Sequence, residues 1–502
     1  MRVLNAGAYL SLTLALGAQA PLFHSEQGWP IDASVLAADL THDGVPECLQ
    51  YRIFVASTTG FAFSYRSLRG NGIWADAPPQ IRRTETLRTR FEPLVAADFN
   101  GDGHTDVFLD RWRMGQPPNE LADVLLYGDG RGNMTDVSHL LPPTPTWLSS
   151  AHALDLDADQ DLDIVAFGSS GYHVFVNDGF GRFSDETNGK LSGTSGLHGA
   201  AGAVLDVDLD GDEDLFVVNG IVNAESSVIL VNQGATLVAI PTGSPPGFGA
   251  GVLLADADGD GHMDAVELAA PVFPTIWLAT PGVPNMTAAP HLRPTWPSPW
   301  FPNLPSGGRS SAAADWDGDG DVDVMLHGGS AIVWWQNTGS GFVDMTPGMP
   351  QPLPSGSSFR LVVDYDLDGD TDLLLPGWNT PSALNAVFLS SNVREARTLL
   401  PPTRGGTYVT EFTARSNHAM LAVLGIAPAN FHIPNLGWVF LDPAQSAFVG
   451  ALHFPTHTAL PLSIAVPNLP VLQGFAVGMQ GLDIDLTTGA VHTTDRPSAI
   501  IQ

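Results

Sequence analysis

The sequence predicts an all-β chain: a seven-bladed β-propeller followed by a β-sandwich-like domain. Three observations carry this. An acidic nine-residue pattern recurs seven times, its starts separated by 59, 57, 51, 50, 59 and 49 residues. Self-similarity at such a period marks a propeller or solenoid. Strand-like runs flank the copies. Gly (53) and Pro (40) are abundant in the 502 residues, which favours many turns over long helices.

Apolar residues make up 44 % of the chain, enough for a sizeable core. Acidic residues outnumber basic ones 53 to 21, a net charge of −32. That field repels a phosphate backbone and sets general nucleic-acid binding aside. The seven windows hold 31 of the 53 acidic residues and no Lys or Arg. The excess charge therefore belongs to a repeated local device rather than to the surface at large.

The pattern is D-x-D-x-D-G-x-x-D, with oxygen donors expected at positions 1, 3, 5, 7 and 9. The first window offers Asp39, Thr41, Asp43, Val45 through its carbonyl, and Glu47. The second offers Asp98, Asn100, Asp102, His104 through its carbonyl, and Asp106. The third has Asp155, Asp157, Asp159, Asp161 and Asp163, and the fourth Asp206, Asp208, Asp210, Asp212 and Asp214. The fifth has Asp256, Asp258, Asp260, the carbonyl of His262, and Asp264. The sixth has Asp315, Asp317, Asp319, Asp321 and Asp323, and the seventh Asp364, Asp366, Asp368, Asp370 and Asp372. Gly at position 6 permits the positive φ that a tight curl of the loop needs.

An all-oxygen cage suits calcium better than zinc or copper, and magnesium, which keeps a small hydrated octahedral shell, is the weaker candidate. About one ion per blade is expected, bound in windows two to seven and weakly or not at all in the first, and Asp208→Ala or Asp366→Ala is expected to remove one ion and leave the others largely intact. The first window departs most, with Thr41 and Glu47. The third carries Gln160 where Gly is expected, a strain of order 1 kcal/mol. An EF-hand is excluded, because its Glu at position 12 is present only as Glu267, and strands rather than helices flank the loops. His42, His104 and His262 fall at positions 4 and 7, where side chains are expected to point away from the ion.

Runs such as VLAA, GAVL and GVLLA precede the windows, and IVAFG, LFVVNG and LLLPG follow them. A third and a fourth strand then meet at a Gly-rich turn, as in VFVNDGFGRFSDET at 174–187. Four short strands per unit make a propeller blade. The loop between strands, followed by N-x-G-x-G-x-F-x-D, resembles the FG-GAP/VCBS repeats of integrin-α-type propellers and of many secreted bacterial proteins. The resemblance covers roughly residues 22–402 and implies a calcium ion in each blade loop. It does not name a ligand, because such propellers serve adhesion, carbohydrate binding and scaffolding alike.

Residues 1–20 combine Arg2 with an apolar stretch from Ala6 to Ala18, which reads as a secretory signal peptide. No later run is long enough to span a bilayer. Cys48 is the single cysteine, expected to be a buried structural thiol. The acidic loops stop near residue 402. Residues 403–502 read as an independent β-sandwich-like domain, with residues 401–406 (PPTRGG) as a linker. Phe23–Glu26 is expected to supply an outer strand to the last blade.

No G-x-S-x-G or H-E-x-x-H motif is present. The segments 293–305, with Trp296, Trp300 and Phe301, and 111–121, with Trp112, are the candidate ligand loops, since aromatic faces stack on sugar rings. The expected role is a non-enzymatic, secreted or cell-surface adhesion or ligand-binding module for protein or glycan. The alternative is a polysaccharide-lyase-like enzyme on the same scaffold.

Overall fold

The structure is a computed structural model of the 502-residue chain. It describes residues 23–27, 35–42, 46–50, 61–69, 73–76, 81–83, 89–113, 123–143, 147–270, 274–294, 309–317, 321–328, 331–346, 361–363, 371–375, 387–391, 396–400, 402–414, 417–425, 428–433, 437–441, 446–454, 458–466, 468, 476–487, 491–493 and 498–500. The expected signal peptide and Trp296, Trp300 and Phe301 lie outside these, as does the side chain of Cys48.

Strand β1 (Phe23–Gln27) stands first in the chain. The first sheet runs β2 (Val35–Ala38), β3 (Glu47–Gln50), β4 (Phe61–Arg69), β5 (Ile73–Asp76), with β6 (Ile81–Arg83) on β4. The second is β7 (Thr89–Ala97), β8 (Asp106–Arg113), β9 (Val124–Gly128), β10 (Met134–Asp136). The third is β11 (Leu148–Leu154), β12 (Asp163–Gly168), β13 (Gly171–Asn177), β14 (Phe183–Asp185). In the fourth, β15 (Leu191–Ser192) pairs in parallel with the last strand of β16 (Gly199–Leu205), β17 (Asp214–Asn219), β18 (Val228–Asn232) and β19 (Leu237–Pro241).

The fifth sheet is β20 (Phe248–Ala255), β21 (Asp264–Ala270), β22 (Thr275–Leu278), β23 (Thr287–Ala288). The sixth is β24 (Arg309–Ala314), β25 (Asp323–Gly328), β26 (Ala331–Asn337), β27 (Phe342–Asp344). The seventh is β28 (Leu361–Val363), β29 (Asp372–Leu375), β30 (Val387–Ser391), completed on its outer edge by β1, with Phe23 opposite Ser391 and Gln27 opposite Val387. The expected outer strand is thus in place.

First strands touch in order: β2 lies against β7, β7 against β11, then β16, β20, β24 and β28, and β28 contacts β2. The fold is all-β and propeller-like. Its core lies in layers between neighbouring sheets. Val165, Phe167 and Val174 of the third sheet pack on Leu215, Val217 and Leu230 of the fourth. Phe216, Val218 and Ile229 on the other face of the fourth pack on Ala265 and Trp277 of the fifth. A strand covered on both faces needs apolar side chains without alternation. This is why DIVAFG and DLFVVN, buried at every position, read as continuous apolar runs.

Beyond these sheets come β31 (Ala396–Leu400), β32 (Thr407–Ala414), β33 (His418–Gly425), β34 (Pro428–Ile433) and β35 (Gly437–Leu441). They are followed by β36 (Ser446–Phe454), β37 (Thr458–Ala465), β38 (Ala476–Asp485), β39 (Val491–Thr493) and β40 (Ser498–Ile500). One sheet is β31-β32-β37, a second β36-β33-β38-β39 with β40 on β38, and β34 and β35 form a hairpin. Tyr408, Phe412, Met420, Phe454, Leu462 and Met479 from the two larger sheets share one core. Residues 401–406, read above as a linker, connect the antiparallel partners β31 and β32, so β31 sides with the strands that follow it. No helix among the described residues is long and apolar enough to cross a membrane.

Candidate metal centres

Every acidic window lies in the chain between the first and second strands of a sheet. Position 2 anchors it: Leu40, Phe99, Leu156, Val207 and Ala257 are buried in the layers between sheets, and Trp316 is fully buried. Burial of such a side chain stabilises by about 1.5–3 kcal/mol for the larger ones. Position 9 opens the second strand and is also buried, at Glu47, Asp106, Asp163, Asp214, Asp264, Asp323 and Asp372.

The carboxylate at position 9 clamps the loop. The Phe99, Val207 and Ala257 N–H groups at position 2 donate to Asp106 Oδ2 (3.0 Å), Asp214 Oδ2 (2.9 Å) and Asp264 Oδ2 (2.9 Å). The other oxygen accepts from the third strand or the turn after it: Gly128 N at 2.9 Å, Asn177 N at 2.7 Å, Asn232 N at 2.7 Å and Ala279 N at 2.9 Å. Burial pushes Asp106 and Asp163 up to about 7, and Asp214 and Asp264 up to about 6, against the lowering effect of these donors.

Position 1 organises the curl. Asp98 accepts from Gly101 N (2.8 Å) and Gly103 N (2.7 Å), and Asp256 from Gly259 N (2.7 Å) and Gly261 N (2.8 Å). Asp206 accepts from Asp210 N (3.1 Å) and Gly211 N (3.0 Å). The curl needs positive φ at position 4 as well as 6. Ala158 (59°) and Leu209 (59°) take it at position 4, and Gln160 (77°) at position 6.

These turns bring positions 1, 3 and 5 together. Asp155, Asp157 and Asp159, then Asp206, Asp208 and Asp210, then Asp256, Asp258 and Asp260, each place one carboxylate oxygen within 4.8 Å of the others. Three such triads could hold metal ions. Among the described residues, Oδ1 of Asp157, Asp208 and Asp258, all at position 3, is buried and accepts no hydrogen bond, as is Oδ1 of Asp161. A buried carboxylate oxygen without a donor is what a cation would satisfy. Burial raises the Asp208 carboxyl, and Asp210 and Asp206 add to it. Burial likewise takes Asp161 up to about 6, with Asp159, Asp157 and Asp155 adding to it. The residues therefore fit a hard divalent ion bound by oxygen.

The second window puts Asn100 among its donors, where its Oδ1 accepts from Asp102 N at 2.9 Å. The rings of His42 and His104 meet edge to face, with centroids 5.9 Å apart, and His104 Nδ1 lies against Gly130, so close that a Cβ there would sit at 2.4 Å. Thr41 Oγ1 donates to Glu47 Oε1 at 3.0 Å. His262 N donates to Asp260 Oδ1 at 2.9 Å. Asp315, Asp317, Asp321 and Asp323 occupy their expected ends of the sixth window, while Asp43, Val45, Asp319, Asp364, Asp366, Asp368 and Asp370 lie outside the described residues.

Sequence reasoning missed the asparagines. Asn177, Asn232 and Asn337 are buried at the end of the third strand, and their Nδ2 groups donate to a loop carbonyl of the preceding sheet: Phe99 O at 2.8 Å, Leu156 O at 3.0 Å and Asp256 O at 2.7 Å. The signal was the Asn of N-x-G, which reads as an ordinary turn former.

A family model described as FG-GAP-like repeat matches residues 155–217, 206–266 and 315–375. Each match spans at least one acidic window, so the chain carries FG-GAP-like repeats at these places. No curated protein matches it. Among solved structures, one described as the basis of specific recognition of non-reducing terminal N-acetylglucosamine by an Agrocybe aegerita lectin is similar at 15 % identity and a TM-score of 0.44, covering 86 % of this chain and 99 % of that one. Escherichia coli alpha-2-macroglobulin activated by porcine elastase is similar at 7 % identity and a TM-score of 0.14, covering 95 % of this chain and 41 % of that one. Neither likeness is close enough to carry an argument.

Proposed function

We propose that the chain is a secreted or cell-surface protein whose seven sheets are the blades of a calcium-loaded propeller, and that it acts as a non-enzymatic adhesion or ligand-binding module for protein or glycan. The sequence of contacts from β2 through β28 back to β2, and the pairing of β1 with β30, support seven blades in a ring. The strands from β31 onward form the proposed C-terminal β-sandwich-like domain. The apolar stretch behind Arg2 supports export.

One observation carries the binding reading. The ends of the third to fifth sheets opposite the acidic loops expose Trp147 (48 %), Ile221 (37 %), Val222 (47 %) and Phe248 (40 %). These segments touch from sheet to sheet, through Ser149 Oγ donating to Gly199 O (2.7 Å) and Gly247 N to Glu225 O (3.0 Å). The rim also holds the pair His198 Nδ1 and Glu225 Oε1 at 2.8 Å. Exposed aromatic and aliphatic groups beside polar ones make a surface suited to sugar rings or an apolar peptide.

The test is a glycan array and a protein panel probed with calcium-loaded protein. Binding that Trp147→Ala with Phe248→Ala abolishes is expected. Turnover of a polysaccharide into unsaturated fragments would replace this reading with the lyase-like one.

A further inference from the structure

We propose that neighbouring metal loops bind their ions cooperatively, and that Asn232 is the residue that couples the third loop to the fourth. The inference rests on the reading of the Asp triads as metal sites. Asn232 is buried, and its backbone N–H, Nδ2 and Oδ1 are all committed. Its backbone N–H donates to Asp214 Oδ1, the clamp of the fourth loop, at 2.7 Å. Its Nδ2 donates to Leu156 O, the carbonyl of position 2 in the third loop, at 3.0 Å. Its Oδ1 accepts from Ala235 N at 3.0 Å, which fixes the amide orientation. The acceptor peptide lies directly between Asp155 and Asp157, two members of the third triad.

An ion that fixes those two carboxylates also fixes the peptide joining them. It thereby fixes Asn232 and the clamp on which the fourth loop closes. Displacing either loop breaks a hydrogen bond between buried groups, which is strongly resisted. The same link recurs between the second and third loops through Asn177 and between the fifth and sixth through Asn337. At the last of these, Gly259 of the fifth loop lies so near the Gly339 carbonyl that an added Cβ would sit 2.2 Å from it. Where Ala279 takes the Asn position, a backbone donor substitutes: Gly282 N reaches Asp208 O at 2.6 Å.

Plain electrostatics predicts the opposite sign. A cation in one loop repels a second in its neighbour, weakly across a screened surface. Cooperative binding therefore separates the mechanical link from charge.

The test uses the full chain and terbium as the probe ion. Glu213 is exposed beside the fourth loop, and the terbium emission gained on Glu213→Trp reports that loop. With Asn232 present, Asp157→Ala should raise the terbium dissociation constant at the fourth loop at least about fivefold, the low end of ordinary coupling. With Asn232→Ala, the same Asp157→Ala should change it less than about twofold. If Asn232→Ala does not fold, Asn177→Ala with Asp102→Ala, read from Leu162→Trp at the third loop, replaces it. An effect of Asp157→Ala that is absent, opposite in sign, or equal with and without Asn232 overturns the coupling. No gain in terbium emission in the reporter protein overturns the metal reading itself.

Discussion

At the scale of single residues, the loop divides its carboxylates between two tasks. Asp157 leaves a buried oxygen open in the triad, whereas Asp163 is buried and accepts from Asn177 N at 2.7 Å and Leu156 N at 3.3 Å. Asp157→Asn should therefore cost an ion and little stability in chelator. Asp163→Asn should destabilise by about 1–3 kcal/mol even in chelator, because an amide N–H then faces a backbone N–H. Urea denaturation in EDTA separates the two. Gln160 holds a φ of 77° that Gly adopts freely, so Gln160→Gly should stabilise by about 1 kcal/mol, read from the urea midpoint. His152 stacks on Phe167 with centroids 5.5 Å apart, and burial lowers it to about 4. The unfolded chain then binds a proton between about 6.5 and 4 that the native state refuses. Stability from this group is complete above pH 6.5 and declines as pH falls to 4, by on the order of 2–3 kcal/mol. His152→Phe, which keeps the ring without the charge, should flatten that slope in denaturation curves taken from pH 7 to 4.

At the scale of the repeated element, the loop and its flanking strands were legible because an ion cage demands oxygen at fixed spacing and a doubly covered strand demands unbroken apolar runs. Position 9 was less legible: an Asp there reads as one more donor, and only its buried place at the start of β12, β17 or β21 shows that it holds backbone N–H groups. Positive φ at Ala158 and Leu209 was hidden for the same reason, since neither residue type advertises it. Asn177, Asn232 and Asn337 were hidden because their partners are 78, 76 and 81 residues away, a distance no local pattern encodes. If the triads hold calcium, each ion bound only by the native state adds about 2.7 kcal/mol at a hundredfold excess over its dissociation constant. EDTA should then lower the melting temperature by far more than matched ionic strength does. An unchanged melting curve in chelator would make the loops acidic turns and nothing more.

At the scale of the whole molecule, strand pairing bears on where the chain divides. Acidic loops end with the seventh window, and that composition shift suggested a boundary near 402. Strand pairing moves the proposed boundary upstream. β30 belongs with β28, β29 and β1, whereas Ala396 pairs with Phe412 and Arg397 with Glu411. Sequence could not show this, because 401–406 has the Pro and Gly of a linker and of a hairpin turn alike. A fragment beginning at 403 would lack β31 and leave the edge of β32 unpaired, an invitation to aggregation. A fragment beginning at 394 would keep the pair and the core around Tyr408 and Phe412. Residues 394–502 should therefore express as a soluble, cooperatively melting unit indifferent to calcium, while residues 403–502 should be less stable or aggregate. The complementary piece, 22–393, should keep its calcium-dependent melting, and removing residues 22–27 from it should lower that melting point by exposing the edge of β30. Equal stability of the two C-terminal fragments, measured by circular dichroism on heating, would return the boundary to 402.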